Sequence, residues 1–230
     1  RGFRRYGFHG ISHAFVATEA ARSLGRPLDS LRLVTLHLGH GASAAAINGG
    51  VSMDTSMGMT PLEGLVMGTR SGDLDPGAVL RLLDETDRSP ADVSDLLNHE
   101  SGLQGLAGAA DMRDVEARAA EGDRRAEEAL ALFCYRVKKY IGAYVAALGG
   151  IDALVFTGGI GENSATVRAR SCDGLDVLGL RIDPQANDAH ERTVNAGAVP
   201  VLVIATDEEL AMARATAELL DNEAGNGATG

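Results

Sequence analysis

The stretch "FHGISH" (8–13) sets His9 and His13 four residues apart, on one face of a helix. Metal-binding histidine pairs use that spacing, but the glutamate of an H-E-x-x-H site is missing, so zinc is disfavoured. Two buried, hydrogen-bonded histidines are the alternative. In "HLGHG" (37–41) an apolar run ends and His40 sits between Gly39 and Gly41, where a backbone without Cβ atoms can bend or approach a ligand closely. Arg70, in "MGTRSGD" (67–73), lies among small residues that let a guanidinium reach a compact anion, and its planar fork suits phosphate or carboxylate. Pairing with Asp73 or Asp75 reads equally well on local grounds.

Three further stretches carry weaker signals. "TGGIGEN" (157–163) offers backbone N–H groups to a phosphate, yet it matches neither a Walker A nor the full Rossmann spacing, and a tight strand-to-helix turn explains it as well. "ADMRDVE" (110–116) places Asp111 and Arg113 just ahead of a helical pattern, where an acid is expected as a cap. "ATDEEL" (205–210) starts a helix with Thr206 as N-cap and three acids in the first turn; the same carboxylates at a strand end could hold Mg²⁺ through water.

The elements that must position these groups follow from periodicity and punctuation. A helix is expected over 11–25, ending at Gly25, then strands over 31–39, 41–49 and 50–56, the last two joined at Asn48-Gly49-Gly50. Residues 57–77 are too rich in glycine for regular structure throughout. Short helices are expected over 78–86 and 89–100, the second with Ser89 as N-cap and Pro90 at the first helical position. A helical pattern covers 114–148 with a break near Gly122. Residues 152–164 read as a buried strand entering a glycine-rich turn, 199–220 repeat strand then helix, and 223–230 read as a disordered tail. In open α/β sheets ligands bind at the carboxyl ends of strands, so "HLGHG", "TGGIGEN" and "ATDEE" should converge.

Composition narrows the classes of partner. A formal charge of -11 argues against a nucleic-acid or anionic-membrane surface, and no apolar run is long enough for a spanning helix. Cys134 and Cys172 stand in contexts without metal-ligand spacing, which fits a reducing cytoplasm. The first residue is not Met, and an Arg-rich segment begins at once, so the record is expected to open inside a longer protein.

Taken in order, "RRYGFHGISH", "LVTLHLGHGASAAAINGGVSMDTSMGMTPLEGLVMGTRSGDLDPG", "ADMRDVE", "YRVKKYIGAYVAALGGIDALVFTGGIGENS" and "VIATDEELAMA" resemble the acetate kinase family, with propionate and butyrate kinases as close relatives. The resemblance runs from Arg4 to about Thr216. It implies an actin/Hsp70/hexokinase-like (ribonuclease H-like) α/β fold with a βββαβαβα core. Residues 1–222 would be the C-terminal of two domains, the half that binds nucleotide and forms a homodimer in the cytoplasm. The implied reaction is reversible phosphoryl transfer from ATP to acetate, giving acetyl phosphate and ADP with Mg²⁺ or Mn²⁺.

Position by position, the resemblance makes His9 the histidine that hydrogen-bonds the transferring phosphoryl group and Arg70 the arginine that stabilises its oxygens. His37, Leu38, Gly39, His40 and Gly41 would form the first nucleotide-contacting segment, Asp111, Met112 and Arg113 the second, and Gly159, Ile160, Gly161, Glu162 and Asn163 the third. Glu208 is the expected metal-linked acid. The family's catalytic aspartate and its carboxylate-binding arginine have no counterpart in these 230 residues, so the chain alone is expected to be inactive. His40 stands where the family has Asn. An imidazole gains positive charge in mild acid, so nucleotide binding is expected to tighten there.

Overall fold

The structure is a computed structural model that describes residues 2 and 4–227. Helix α1 (Gly10–Leu24) leads into strands β1 (Arg32–Leu38), β2 (Ala42–Asn48) and β3 (Val51–Thr55). Helices α2 (Pro76–Glu85), α3 (Pro90–His99), α4 (Gly102–Ala107), α5 (Met112–Ala120) and α6 (Arg124–Leu148) follow. Next come β4 (Ala153–Thr157), α7 (Gly158–Asn163), α8 (Ala165–Cys172), α9 (Pro184–Asp188), β5 (Val201–Val203) and α10 (Glu208–Gly227). The strands form one sheet in the order β3-β2-β1-β4-β5. β1–β2 and β2–β3 are antiparallel, whereas β1–β4 and β4–β5 are parallel. This is the βββαβαβα order of the ribonuclease H-like fold, as expected.

Side-chain alternation along β1 divides the core. Val34, Leu36 and Leu38 face Val115, Phe133, Val137 and Ile141 of α5 and α6. Leu33 faces the other way, with Ala45 and Ile47 of β2, against Val16, Ala17, Ala20 and Ala21 of α1. Each large aliphatic side chain fully buried in these layers contributes about 1.5–3 kcal/mol. The same period of two puts Thr35 and His37 on the α1 side, as it does Ser43 of β2, which pairs with His37 in the register. The layer beneath α1 is therefore apolar toward the start of β1 and polar toward its end.

Several boundaries are set by local chemistry that the sequence displays. Ser89 and Asp92 make a capping box at α3, with Pro90 at its first position. Asp123 caps α6 three residues after Ala120 ends α5, which is the break expected near Gly122. Other features differ from expectation. The cap of α10 is Asp207, whose carboxylate accepts from the Leu210 N–H at 2.8 Å; the Thr206 amide instead donates to Glu162 Oε1 at 3.3 Å. Helix α10 runs to Gly227, so residues 223–227 are helical rather than tail, and 228–230 lie outside the described residues.

The glycine-rich turn after β4 is a helix from its first residue. Gly158 starts α7 at φ 78°, and a Cβ there would lie 2.7 Å from the Leu38 carbonyl oxygen. Glycine is required twice over, by dihedral and by contact. At the other end, fully buried Arg168 donates to the carbonyls of Gly161 and Glu162 at 3.0 and 2.9 Å while its guanidinium also holds Asn187. These bonds tie the end of α7 to α8 and α9. Gly158→Ala should destabilise the fold by about 2–4 kcal/mol, combining the positive-φ penalty with overpacking, as a shift in the urea midpoint would record.

Candidate functional site

The three parallel strands end on one side of the sheet, and the segments leaving them gather there as expected. Glu162 Oε1 accepts from the Gly158 N–H at 2.9 Å and from the Thr206 N–H, so one carboxylate ties the ends of β4 and β5 together. Leu38, at the end of β1, packs against Gly158 and Gly161. Leu38 and Gly161 are buried and serve as floor.

A pocket of about 700 Å³ opens beside this floor. It is lined by Gly39 and His40 from the β1 end, Asp111, Met112 and Arg113 from the start of α5, and Gly159, Ile160 and Asn163 from α7. Three segments distant in sequence thus meet as the walls of a volume suited to a nucleotide-sized ligand. His37, Gly41 and Glu162 are outside the lining. Ala110, Glu116 and Ser164 belong to it and were missed by the sequence reading; Ser164 donates to Glu116 Oε1 at 2.5 Å, a contact across 48 residues that no local pattern reveals. Asp111 caps α5 through the Arg113 N–H at 2.9 Å, and the hydrogen-bonded Arg113 guanidinium holds its carboxyl down at about 2.

Gly41, the next residue along from the pocket, touches a second cluster. The place of its missing Cβ is 3.5 Å from the His9 ring and 3.6 Å from an Arg70 guanidinium nitrogen. His9 is the N-cap of α1 in the left-handed region, at φ 55° and ψ 28°. A non-glycine residue held there stores roughly 1–3 kcal/mol of strain, of the kind that collects at functional sites. Arg70 has no carboxylate partner among the described residues: Asp73 is taken by Arg136 and Tyr140, and Asp75 caps α2. Among the described residues its guanidinium bonds only Met67 Sδ, at 3.7 Å.

Arg70 is positioned by backbone. The N–H groups of Ser101, Leu103 and Gln104, at the start of α4, donate to the carbonyls of Thr69, Met67 and Gly68 at 2.9 Å each. Gly102, at φ 59°, permits that approach, since a Cβ would fall 2.2 Å from the Met67 oxygen and 2.6 Å from the Arg70 oxygen. The Gly68 N–H also donates to the His40 carbonyl at 3.0 Å, which joins the arginine loop to the pocket wall.

The histidines are hydrogen-bonded rather than metal-paired, and no group of three potential metal-ligating side chains exists among the described residues. Ser43 Oγ lies 2.9 Å from His9 Nδ1 and 2.8 Å from His13 Nε2, while His13 Nδ1 is 2.7 Å from Thr35 Oγ1. His37 Nδ1 is 2.8 Å from Ser12 Oγ, and the His9 and His37 rings stack at 4.1 Å. Burial and the neighbouring rings lower His13 to about 3; burial and His9 lower His37 to about 4. Burial also lowers His9, with the Glu208 carboxylate opposing and Arg70 reinforcing. Glu208 is therefore close enough to act on His9. It is exposed, makes no hydrogen bond or ion pair among the described residues, and lies two residues after Thr206, whose hydroxyl is buried without a partner. One exposed carboxylate is a hard-oxygen donor that fits Mg²⁺ completed by water and phosphate, as that ion prefers.

Fold and site together define a ribonuclease H-like α/β domain with a pocket, and a histidine–arginine cluster beside it, at its parallel strand ends. The chain belongs to the Acetokinase family, whose model matches residues 1–214. It is 55% identical over 222 residues to the acetate kinase of Syntrophobacter fumaroxidans, covering 94% of this chain and 54% of that protein. The crystal structure of Porphyromonas gingivalis acetate kinase superposes with a TM-score of 0.92 at 44% identity, covering 94% of this chain and 56% of the other. A propionate kinase from Francisella tularensis gives 0.86, also at 44% identity, covering 90% and 54%. The chain spans about half the length of the curated relatives it matches.

His13 and His37 make stability depend on pH. In the folded chain both rings stay neutral down to about pH 4, whereas the unfolded chain protonates them near pH 6.5, so the unfolded state binds more protons in between. Stability should fall as the pH is lowered through that window. Each ring contributes a slope of about 1.4 kcal/mol per pH unit. Urea unfolding at pH 7 and pH 5 measures it, and His37→Asn should remove one of the two contributions.

Proposed function

We propose that this chain is the nucleotide-binding half of an acetate kinase, which moves the γ-phosphoryl group of ATP to acetate and back. One observation carries the reading: an unpaired arginine and a strained, neutral histidine flank the same glycine, one residue along from a nucleotide-sized pocket. Adenosine would occupy the space between His40, Asp111–Arg113 and Gly159–Asn163. Its phosphates would follow the Gly39–Gly41 backbone, where no Cβ intervenes, toward Arg70 and His9.

Phosphoryl transfer needs positioning and charge stabilisation more than covalent help. Arg70 presents a preformed cation whose fork can take two equatorial oxygens of the moving group. His9, held neutral by burial, can offer one directed N–H to a third. Glu208 would hold Mg²⁺ or Mn²⁺ through water; bound there, the ion neutralises charge shared by the phosphates. The acetate-binding arginine and the catalytic aspartate are assigned to residues beyond these 230, on the resemblance. A homodimer formed through this domain and a cytoplasmic location belong to the same reading.

Propionate is the second acceptor to consider, because a propionate kinase is among the similar structures. Nothing in the described pocket measures the acid's chain length. In the full-length protein, Arg70→Ala should lower kcat for acetyl phosphate formation by about 10²–10³-fold, the effect of losing one donor to transition-state charge, with ADP affinity little changed. The 230-residue chain itself should bind ADP in calorimetry yet form no acetyl phosphate; turnover by this chain would refute the division of labour.

A further inference from the structure

The hydrogen bonds beneath His9 run in one direction. Thr35 is fully buried, and its hydroxyl has a single partner among the described residues, His13 Nδ1 at 2.7 Å. If His13 donated from Nδ1, the Thr35 proton would be left unmet in the core, the costly outcome for a buried donor. Thr35 therefore donates and His13 Nδ1 accepts. A neutral imidazole carries one proton, so His13 must hold it on Nε2 and donate to Ser43 Oγ. Ser43 is fully buried too, and the remaining acceptor for its own proton is His9 Nδ1 at 2.9 Å. The reverse order, and the arrangement in which both histidines donate to Ser43, each strand a hydroxyl proton.

We propose that Thr35, His13 and Ser43 form a directional chain that fixes His9 as the tautomer protonated on Nε2, so that a neutral N–H donor faces the cleft. Thr35 and Ser43 are thereby positioning residues, Ser43 one hydrogen bond and Thr35 three hydrogen bonds from His9, whose Nε2 meets the phosphoryl group. The proposal rests on the role given to His9 above. Ser12 does the same for His37: its fully buried hydroxyl donates to Nδ1 and leaves the proton on Nε2. The ionic groups facing His9 are Arg70 and Glu208, with His37 and His13 as neighbouring rings. A fixed neutral donor suits this setting, since Arg70 already supplies the cation, and a lone pair on Nε2 would repel phosphate oxygens.

Nitrogen-15 NMR of the labelled imidazoles reads the tautomers directly in this chain near pH 7.5, without turnover. His9, His13 and His37 should each carry the proton on Nε2. Ser43→Ala, a mild change in an alanine-rich strand, should convert His9 to a tautomer mixture; Thr35→Val should shift it less, and Thr35→Ser should restore the wild-type signals. In the full-length protein Ser43→Ala should lower kcat by at least roughly tenfold while KM for nucleotide holds. A wild-type His9 protonated on Nδ1, or His9 signals unmoved by Ser43→Ala, overturns the proposal whatever the enzyme's activity. Wild-type full-length protein that phosphorylates no acid would instead overturn the function on which it rests.

Discussion

The site depends on burying polar groups inside an apolar layer without leaving any of them unmet. Between α1 and the sheet, the imidazoles of His13 and His37 and the hydroxyls of Ser12, Thr35 and Ser43 occupy positions that a few residues away are Val16, Leu33, Ala45 and Ile47. An isolated polar group there would cost several kcal/mol in desolvation, so the network holds only if every member has its partner. The alternation of β1 and β2 brings Thr35, His37 and Ser43 to one face, and the helical spacing of α1 brings His9, Ser12 and His13 down onto it. A one-residue slip of β1 would exchange Thr35 and His37 for apolar neighbours such as Leu36 and Leu38, and a slip of β2 would exchange Ser43 for an alanine, which makes the site a strong constraint on register.

A second constraint keeps Arg70 available. A guanidinium among so many acids would ordinarily find a carboxylate, and the chain carries 32 of them. The nearby acids are occupied elsewhere: Asp73 by Arg136 and Tyr140, Asp75 by the start of α2, Asp111 by Arg113. Arg5, by contrast, spends its guanidinium on Asp54 and Glu63. The difference lies in the backbone. The loop carrying Arg70 is pinned by N–H groups at the start of α4, which orients the side chain toward Gly41 and His9 and away from the acidic surface.

Much of this was legible in the sequence, and the illegible part has a common cause. Strands β1 to β3, the hairpin at Gly49-Gly50, the capping box at Ser89 and the junction of α5 with α6 follow local rules of period and punctuation. So does the gathering of "HLGHG", "TGGIGEN" and "ATDEE" at the strand ends. What escaped were elements whose conformation comes from distant partners. Helix α7 begins with two glycines and has poor intrinsic propensity; it forms because Arg168, itself locked by Asn187, collects its terminal carbonyls. Helix α4 is likewise short and glycine-rich, and its N–H groups are used on residues 67–69. The cap of α10 is Asp207 rather than Thr206, whose amide is tied to Glu162 of α7. The choice between a paired and a free Arg70 was open for the same reason, since only the fold shows where Asp73 goes.

Some of the departures from local comfort in this molecule gather near Gly41. His9 sits in a left-handed conformation without glycine's freedom, and among the described residues Arg70 has no counter-charge, Glu208 no partner and the buried Thr206 hydroxyl no hydrogen bond. Each alone would be a small defect of roughly 1–3 kcal/mol. His9 and Arg70 both lie against Gly41, and the Glu208 carboxylate acts on His9, whereas His190, also at positive φ, and the buried unpaired hydroxyls of Thr55 and Ser171 belong to other parts of the fold. The sequence satisfies Ser12, Thr35 and Ser43 while leaving, among the described residues, the Arg70 cation and the Glu208 anion without a charged partner near them. Opposite charges and a histidine converge beside a pocket of about 700 Å³, and it is on this arrangement that the proposed reading of nucleotide-dependent phosphoryl transfer rests.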